Sequence, residues 1–192
     1  MHNKNLNLVV IIVMLFITSN NYAQKSSIRK DKYSVGIGYG FNSNVGNDGL
    51  VFSNDYKYYL SNRLALNPAL SYFQSINLFH DFEEGYQSHS GFVFSFALDY
   101  TIYNKNDFNI AINLGPSFEV GDQSYSWLRT YTDGVLTEER FENERLFVPG
   151  VVGNIELSWD ENKKFVKSIS IISNSQYGLI PNSLGIVYKI GF

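Results

Sequence analysis

The chain has 192 residues, 16% of them Phe, Trp or Tyr, with 15 basic and 18 acidic side chains and no cysteine. That length suits a single closed sheet, and the missing cysteines exclude a disulfide framework, so a small domain must be held by closure and burial. No basic patch, arginine-rich arm or zinc spacing is present, which leaves nucleic-acid binding without a footing, and no cofactor motif appears.

The N-terminus reads as an export signal. A polar segment, Met1 to Asn7 with Lys4, precedes ten apolar residues, Leu8 to Ile17, and a polar stretch that ends at Ala23. Ten residues are too few for a membrane-spanning helix, so the expectation is a leader, 1–23, cleaved after Ala23. Loss of Lys4 leaves 14 basic against 18 acidic residues, a net charge of −4. Residues 24–32 are polar and basic and read as a short periplasmic tail, followed by one domain, 33–192.

Within that domain the dominant signal is period two, the mark of strands with one apolar and one polar face. The first strand sets Val35, Ile37, Tyr39 and Phe41 against Ser34, Gly36, Gly38 and Gly40. Glycines in register leave room on the inner side for a neighbour's large side chain or for strong curvature. In the second, Leu50, Phe52, Tyr56 and Tyr58 oppose Ser53, Asp55, Lys57 and Tyr59, and in the third Leu64, Leu66, Pro68, Leu70 and Tyr72 oppose Ala65, Asn67, Ala69 and Ser71. A polar loop, Gln74 to Ser88, follows.

The clearest stretch is Phe92 to Val120. Phe92, Phe94, Phe96, Leu98, Tyr100 and Ile102 share one face of the fourth strand, and after the turn Asn104 to Asp107 the alternation resumes from Phe108 to Val120. Each arm has about a dozen residues where an ordinary strand has about five or six, and a tilted bilayer crossing takes about nine to eleven. Beyond Val120, Tyr125, Trp127, Arg129 and Tyr131 alternate up to Asp133-Gly134, and Val135, Thr137, Glu139 and Phe141 alternate back. Asp-Gly between alternating runs predicts a hairpin, so strands five and six should project as one ribbon. Strand six continues through Phe147, Pro149, Val151, Ile155, Leu157 and Trp159. Strand seven carries Phe165, Ile169 and Ile171, with Lys167 on the same face; an outward lysine costs about 2 to 4 kcal/mol at a bilayer midplane and little near an interface. The last strand places Leu184, Ile186, Tyr188, Ile190 and Phe192 against Gly185, Val187, Lys189 and Gly191.

Eight strands result, with connections two, four and six short and one, three and five long. In an up-and-down barrel the short turns share one rim and both termini lie on it. The sequence thus resembles the small eight-stranded outer-membrane barrels of OmpA and OmpX type over Tyr33 to Phe192, and in composition it is similar to Bacteroidetes chains. The most specific element is the final strand, whose alternation through Tyr188 to Phe192 looks like the assembly signal such proteins present to the barrel-assembly machinery. The resemblance implies an all-β, eight-stranded antiparallel up-and-down transmembrane barrel in the outer membrane, in contact with its lipids. The competing reading is a soluble lipocalin-like barrel with the apolar face inward.

Six charges fall on the polar face: Asp55, Lys57, Asp99, Glu119, Glu156 and Lys189. Enclosed charges must pair, and eight strands leave an interior just wide enough for side chains to fill. A structural plug rather than a conducting pore is expected. The ribbon, with Trp127, Arg129, Tyr131 and Phe141, is the candidate surface for an extracellular protein partner, because unpaired edges template strand addition and aromatics dominate interfaces. A structural or surface-binding role without catalysis is expected; the alternative is an outer-rim enzyme acting on lipid A or peptides. His80, with Asp81, Glu83 and Glu84, and His89, between two serines, fall in or beside the second long loop, match no known catalytic arrangement of such barrels, and have no recognised metal-loop spacing. Pro68, Pro116 and Pro149 each remove a ladder donor, so bulges or rim positions are expected there.

Overall fold

The computed structural model describes residues 31–43, 46–76, 78, 87–159, 164–176 and 181–192. The leader, most of the tail, the turn at 160–163 and the segment holding His80, Asp81, Glu83 and Glu84 lie outside them. Eight strands run in order: β1 (Lys32–Asn42), β2 (Asn47–Tyr59), β3 (Leu64–Ser75), β4 (Ser88–Lys105), β5 (Phe108–Thr132), β6 (Val135–Trp159), β7 (Val166–Gln176) and β8 (Ser183–Gly191). Each pairs antiparallel with the next, and β8 pairs with β1, so the sheet is a closed barrel. Among the described residues no helix is long and apolar enough to cross a membrane.

The apolar face looks outward on every strand. Phe94, Ile112 and Ile186 are 50%, 44% and 59% exposed, while Asp55, Lys57, Asp99 and Lys189 are buried inside. A soluble ligand carrier has the opposite orientation, so that reading is overturned. Along β5 the outward apolar run from Phe108 to Val120 spans about 40 Å of strand, or about 30 Å along a barrel axis at ordinary tilt. Lys167 is exposed but pairs with Trp159 and Ile190 beside the short turns, where its ammonium can snorkel out of an apolar layer.

The closing seam rests on glycine. Gly36 and Gly38 of β1 face inward opposite Lys189 and Val187 of β8, and a Cβ on Gly36 would sit 2.7 Å from Lys189 Cγ. The missing methyl is therefore the space that Lys189 occupies. At the base, Tyr33 and Phe192 exchange two backbone hydrogen bonds of 3.1 and 2.8 Å, and their rings meet edge-on at 5.2 Å. β1 begins at Lys32, whose side chain is buried at the barrel's base.

The prolines are accommodated differently from the expectation. Opposite Pro68 the β2·β3 pairing stops after Asp55↔Ala69 and resumes at Tyr58↔Leu66, and opposite Pro116 the β4·β5 pairing stops after Ser95↔Ser117 and resumes at Leu98↔Leu114. In both places the register is unchanged. The ladder simply omits rungs that a proline cannot donate, and no bulge forms. Pro149 does lie at a rim, one residue past the last β6·β7 pair at Gly150↔Gln176. The bulges lie elsewhere, at Thr101/Tyr103 on β4 and twice in the β5·β6 ribbon.

Candidate functional site

The inward charges gather in two tiers. In the lower tier, near the short turns, the Lys57 ammonium lies 2.8 Å from both Asp99 Oδ2 and Glu156 Oε1, and Lys189 lies 2.8 Å from Asp55 Oδ2 and 3.5 Å from Glu156 Oε2. Ser170 donates to Glu156 Oε2 at 3.2 Å. These groups come from β2, β4, β6, β7 and β8, so the network crosses the lumen. Ser34 and Gly36 on the intervening β1 are small enough for Lys189 to reach Asp55 over them. With Lys32, which also interacts with Glu156, three cations face three carboxylates and the tier is neutral. In a medium of low dielectric that balance is a condition of stability.

Glu119 does not join them. It stands in the upper tier, where His89 Nε2 lies 2.8 Å from its Oε1 and Gln176 and Asn174 donate to its Oε2 at 2.8 and 3.2 Å. His89, expected in or beside a loop, is the second residue of β4; it is 1% exposed and points into the barrel. Its backbone N–H donates to Ser75 Oγ at 3.0 Å, and its ring lies 5.4 Å from that of Phe73. The parity of β4 carries the signal: 89 has the same inward parity as Val93 and Asp99. Ser88 and Ser90 masked it by resembling loop. A cavity of about 60 Å³ beside His89 and Glu119 is walled mainly by apolar side chains such as Val51, Phe73 and Val93, a volume on the scale of a few waters. His89 Nδ1 has no hydrogen-bond partner among the described residues, so the His–Glu pair is not extended to a hydroxyl nucleophile there. No cluster of three or more metal-ligating side chains occurs among the described residues.

The ribbon is formed by the upper parts of β5 and β6 and turns at Asp133 and Gly134, both at positive φ (53° and 79°). Asp-Gly suits such a turn because glycine takes a left-handed backbone without strain. β4 leaves β5 after Ser88↔Ser124, and β7 reaches β6 only at Gly150. Among the described residues, β6 therefore presents an unpaired edge from Val135 to Pro149 and β5 one from Tyr125 to Thr132. The first ribbon bulge falls between Ser126 and Leu128, at Trp127, and the second between Thr130 and Tyr131. These steps shift the alternation so that Phe141, Arg129, Tyr131 and Leu136 share one face. Tyr131 and Phe141 are exposed, and Arg129 Nε holds Glu139 Oε1 at 2.9 Å. Partial desolvation and then the carboxylates of Glu142 and Glu144 push the Tyr125 phenol above its ordinary range. Of the terminal-strand residues, Tyr188 faces outward opposite Ile37, and Phe192 packs on Tyr33.

A closed eight-stranded meander with an apolar exterior and a charged, filled interior is the fold of the small outer-membrane barrels of OmpA and OmpX type. Solved structures share it. Neisserial surface protein A superposes with a TM-score of 0.57 at 9% identity, over 84% of this chain and 94% of that one. The N-terminal β-barrel domain of Pseudomonas aeruginosa OprF gives 0.51 at 15% identity, over 86% and 98%. Ail, the attachment invasion locus protein of Yersinia pestis, gives 0.45 at 12%, over 84% and 96%. No family model matches the sequence, and no curated protein does.

Proposed function

We propose that the chain is an outer-membrane barrel that does not conduct, and that its ribbon is a docking surface for an extracellular protein. In this reading residues 1–23 direct export and are removed, and the final strand, with Tyr188 and Phe192, is the segment read by the barrel-assembly machinery. The single observation that carries the membrane location is the outward belt of large apolar side chains, present on every strand, around a lumen whose charges pair with one another. In water such a belt would be a very large exposed apolar patch; in lipid it is the ordinary exterior of a barrel. The paired lower tier supports a plug.

The location is tested on a gel of the membrane fraction, unboiled and boiled, with protease applied to intact cells. The expected result is a heat-dependent mobility shift and cleavage confined to long loops and the ribbon. Protein that stays in the soluble fraction without a shift overturns the proposal.

Docking rests on the β6 edge and the exposed Tyr131 and Phe141. Deleting Ser126 to Phe141 should leave the heat-dependent shift intact, since the barrel seams do not include these residues, and should abolish binding of cells to the partner surface. Undiminished binding by the deletion variant would remove the ribbon from the mechanism.

A further inference from the structure

Resting on the docking reading above, we infer that the β6 edge takes an extended strand with two basic side chains two residues apart and an uncharged one between them. The partner is an extracellular protein that presents such a strand.

Of the two ribbon edges, that of β5 is interrupted. Its pairing with β6 slips between Ser126 and Leu128 and again between Thr130 and Tyr131, and bulges twist a strand so that its edge is a poor template. β6 has no slip from Phe141 to Pro149: its register with β5 is unbroken from Ser126↔Phe141 to Phe118↔Pro149. Along such an edge alternate residues turn their N–H and C=O to the open side. The stretch stands above the last β6·β7 pair, Gly150↔Gln176. An added strand therefore continues the line of β7 above the rim, over the wall and not over lipid.

The side chains on this edge define what the strand must carry. Tyr125↔Glu142 and Gln123↔Glu144 are direct pairs, so Glu142 and Glu144 share one face, with the parity of the buried Leu146 and Val148; both acids are exposed. Higher up, Glu138 and Glu139 are matched within the ribbon, by Arg140 at 2.8 Å and Arg129 at 2.9 Å. The remaining ribbon cation, Arg145, lies on the opposite face, 4.0 Å from Asp122 Oδ1. Glu142 and Glu144 are thus left without a cation among the described residues. Partial desolvation, and after it these two carboxylates, hold the Tyr125 phenol above its ordinary range. A lysine or arginine directly opposite each acid supplies the missing charge. Between them, on the other face, the added strand meets Asn143 beside Arg145, where a third cation would be repelled.

The test uses the mature chain in nanodiscs and labelled peptide probes in which Lys-Val-Lys or Lys-Lys-Val is flanked by threonines. The two carry the same charge, but only the first sets both lysines on one face of a strand. Lys-Val-Lys is expected to bind about tenfold tighter, since Lys-Lys-Val loses one cross-strand attraction and gains one repulsion, and its binding should slow amide exchange in β6 between Phe141 and Val148. Glu142→Lys combined with Glu144→Lys should reject Lys-Val-Lys and accept a Glu-Val-Glu probe; the heat-dependent mobility shift reports that this variant is folded. Equal binding of the two lysine probes, binding of neither, or binding unchanged by the double reversal overturns the assigned partner chemistry. Deleting Ser126 to Phe141 joins Tyr125 to Glu142 and turns the acidic pair into a loop, so that variant should bind no probe. Cell binding that is lost in the deletion, with no discrimination between probes, removes the basic strand and leaves the docking surface; cell binding undiminished in the deletion removes both.

Discussion

Glu156→Gln is expected to destabilise the barrel by about 3 to 5 kcal/mol, the range for removing one partner from a buried charge network. Glu156 is the acid that both Lys57 and Lys189 share, at 2.8 and 3.5 Å. Neutralising it leaves three buried cations against Asp55 and Asp99, and the excess charge has no route to water through a filled lumen. Glutamine keeps the size and an acceptor for Ser170, so the effect isolates charge from packing. The measurement is the urea midpoint of the refolded barrel in lipid, with Glu138→Gln on the exposed ribbon as the comparison. Among the described residues Glu138 pairs with the exposed Arg140 alone, and pairs of that kind contribute little. If the two substitutions have equal effects, water reaches the lower tier and the lumen is not a plug.

Gly38→Val is expected to prevent closure. A Cβ at Gly38 would collide with the carbonyl oxygen of Ile186 and lie 2.6 Å from Val187 Cα. Both are backbone atoms of β8, which cannot swing aside as a flexible side chain can. The seam between β1 and β8 is the last one a sequential meander makes, and without it two edges of unpaired backbone would face lipid at a cost of several kcal/mol per group. The folded, faster-migrating band should disappear, whereas Gly134→Ala at the ribbon tip, where nothing lies within 4 Å of the added carbon, should keep it despite local strain from the positive φ. A folded band of ordinary intensity for Gly38→Val would mean that β1 and β8 are spaced more widely than described.

Which side chains share a face was legible on every strand because a one-residue slip would move them all to the other face. Whether the apolar face looks out or in was not carried by the alternation, which a soluble barrel shares, but by strand length and the alternation of long and short connections. Strand ends were less legible. β3 continues to Ser75 and β4 starts at Ser88, yet above the apolar belt both strand faces are polar and the period fades. His89 therefore reads from sequence as lying in or beside a loop rather than in the lumen. The division of the inward charges was not legible either. Lys189 reaches Asp55 across β1, and Glu119 stands with His89, because of barrel shear and cross-strand register, which no single strand encodes. Pro68 and Pro116 depart from the expected bulges for a related reason: the ladder loses two rungs at each while flanking pairs hold register, so no compensating bulge is needed. In the ribbon the Asp-Gly turn was plain, but the slips at Trp127 and near Tyr131 follow only from the pairing with β6.

The long β5·β6 ribbon also has a mechanical consequence. Tension applied at the Asp133–Gly134 tip pulls both strands in the same direction, so it does not separate them from each other; it is passed down into the seams with β4 and β7. Hydrogen bonds there run across the pull and are loaded side by side in shear rather than unzipped singly. The β4 seam extends from Ser88 to Lys105, but the β7 seam begins only at Gly150 and ends at Trp159. Under sustained drag the wall should therefore give way first between β6 and β7.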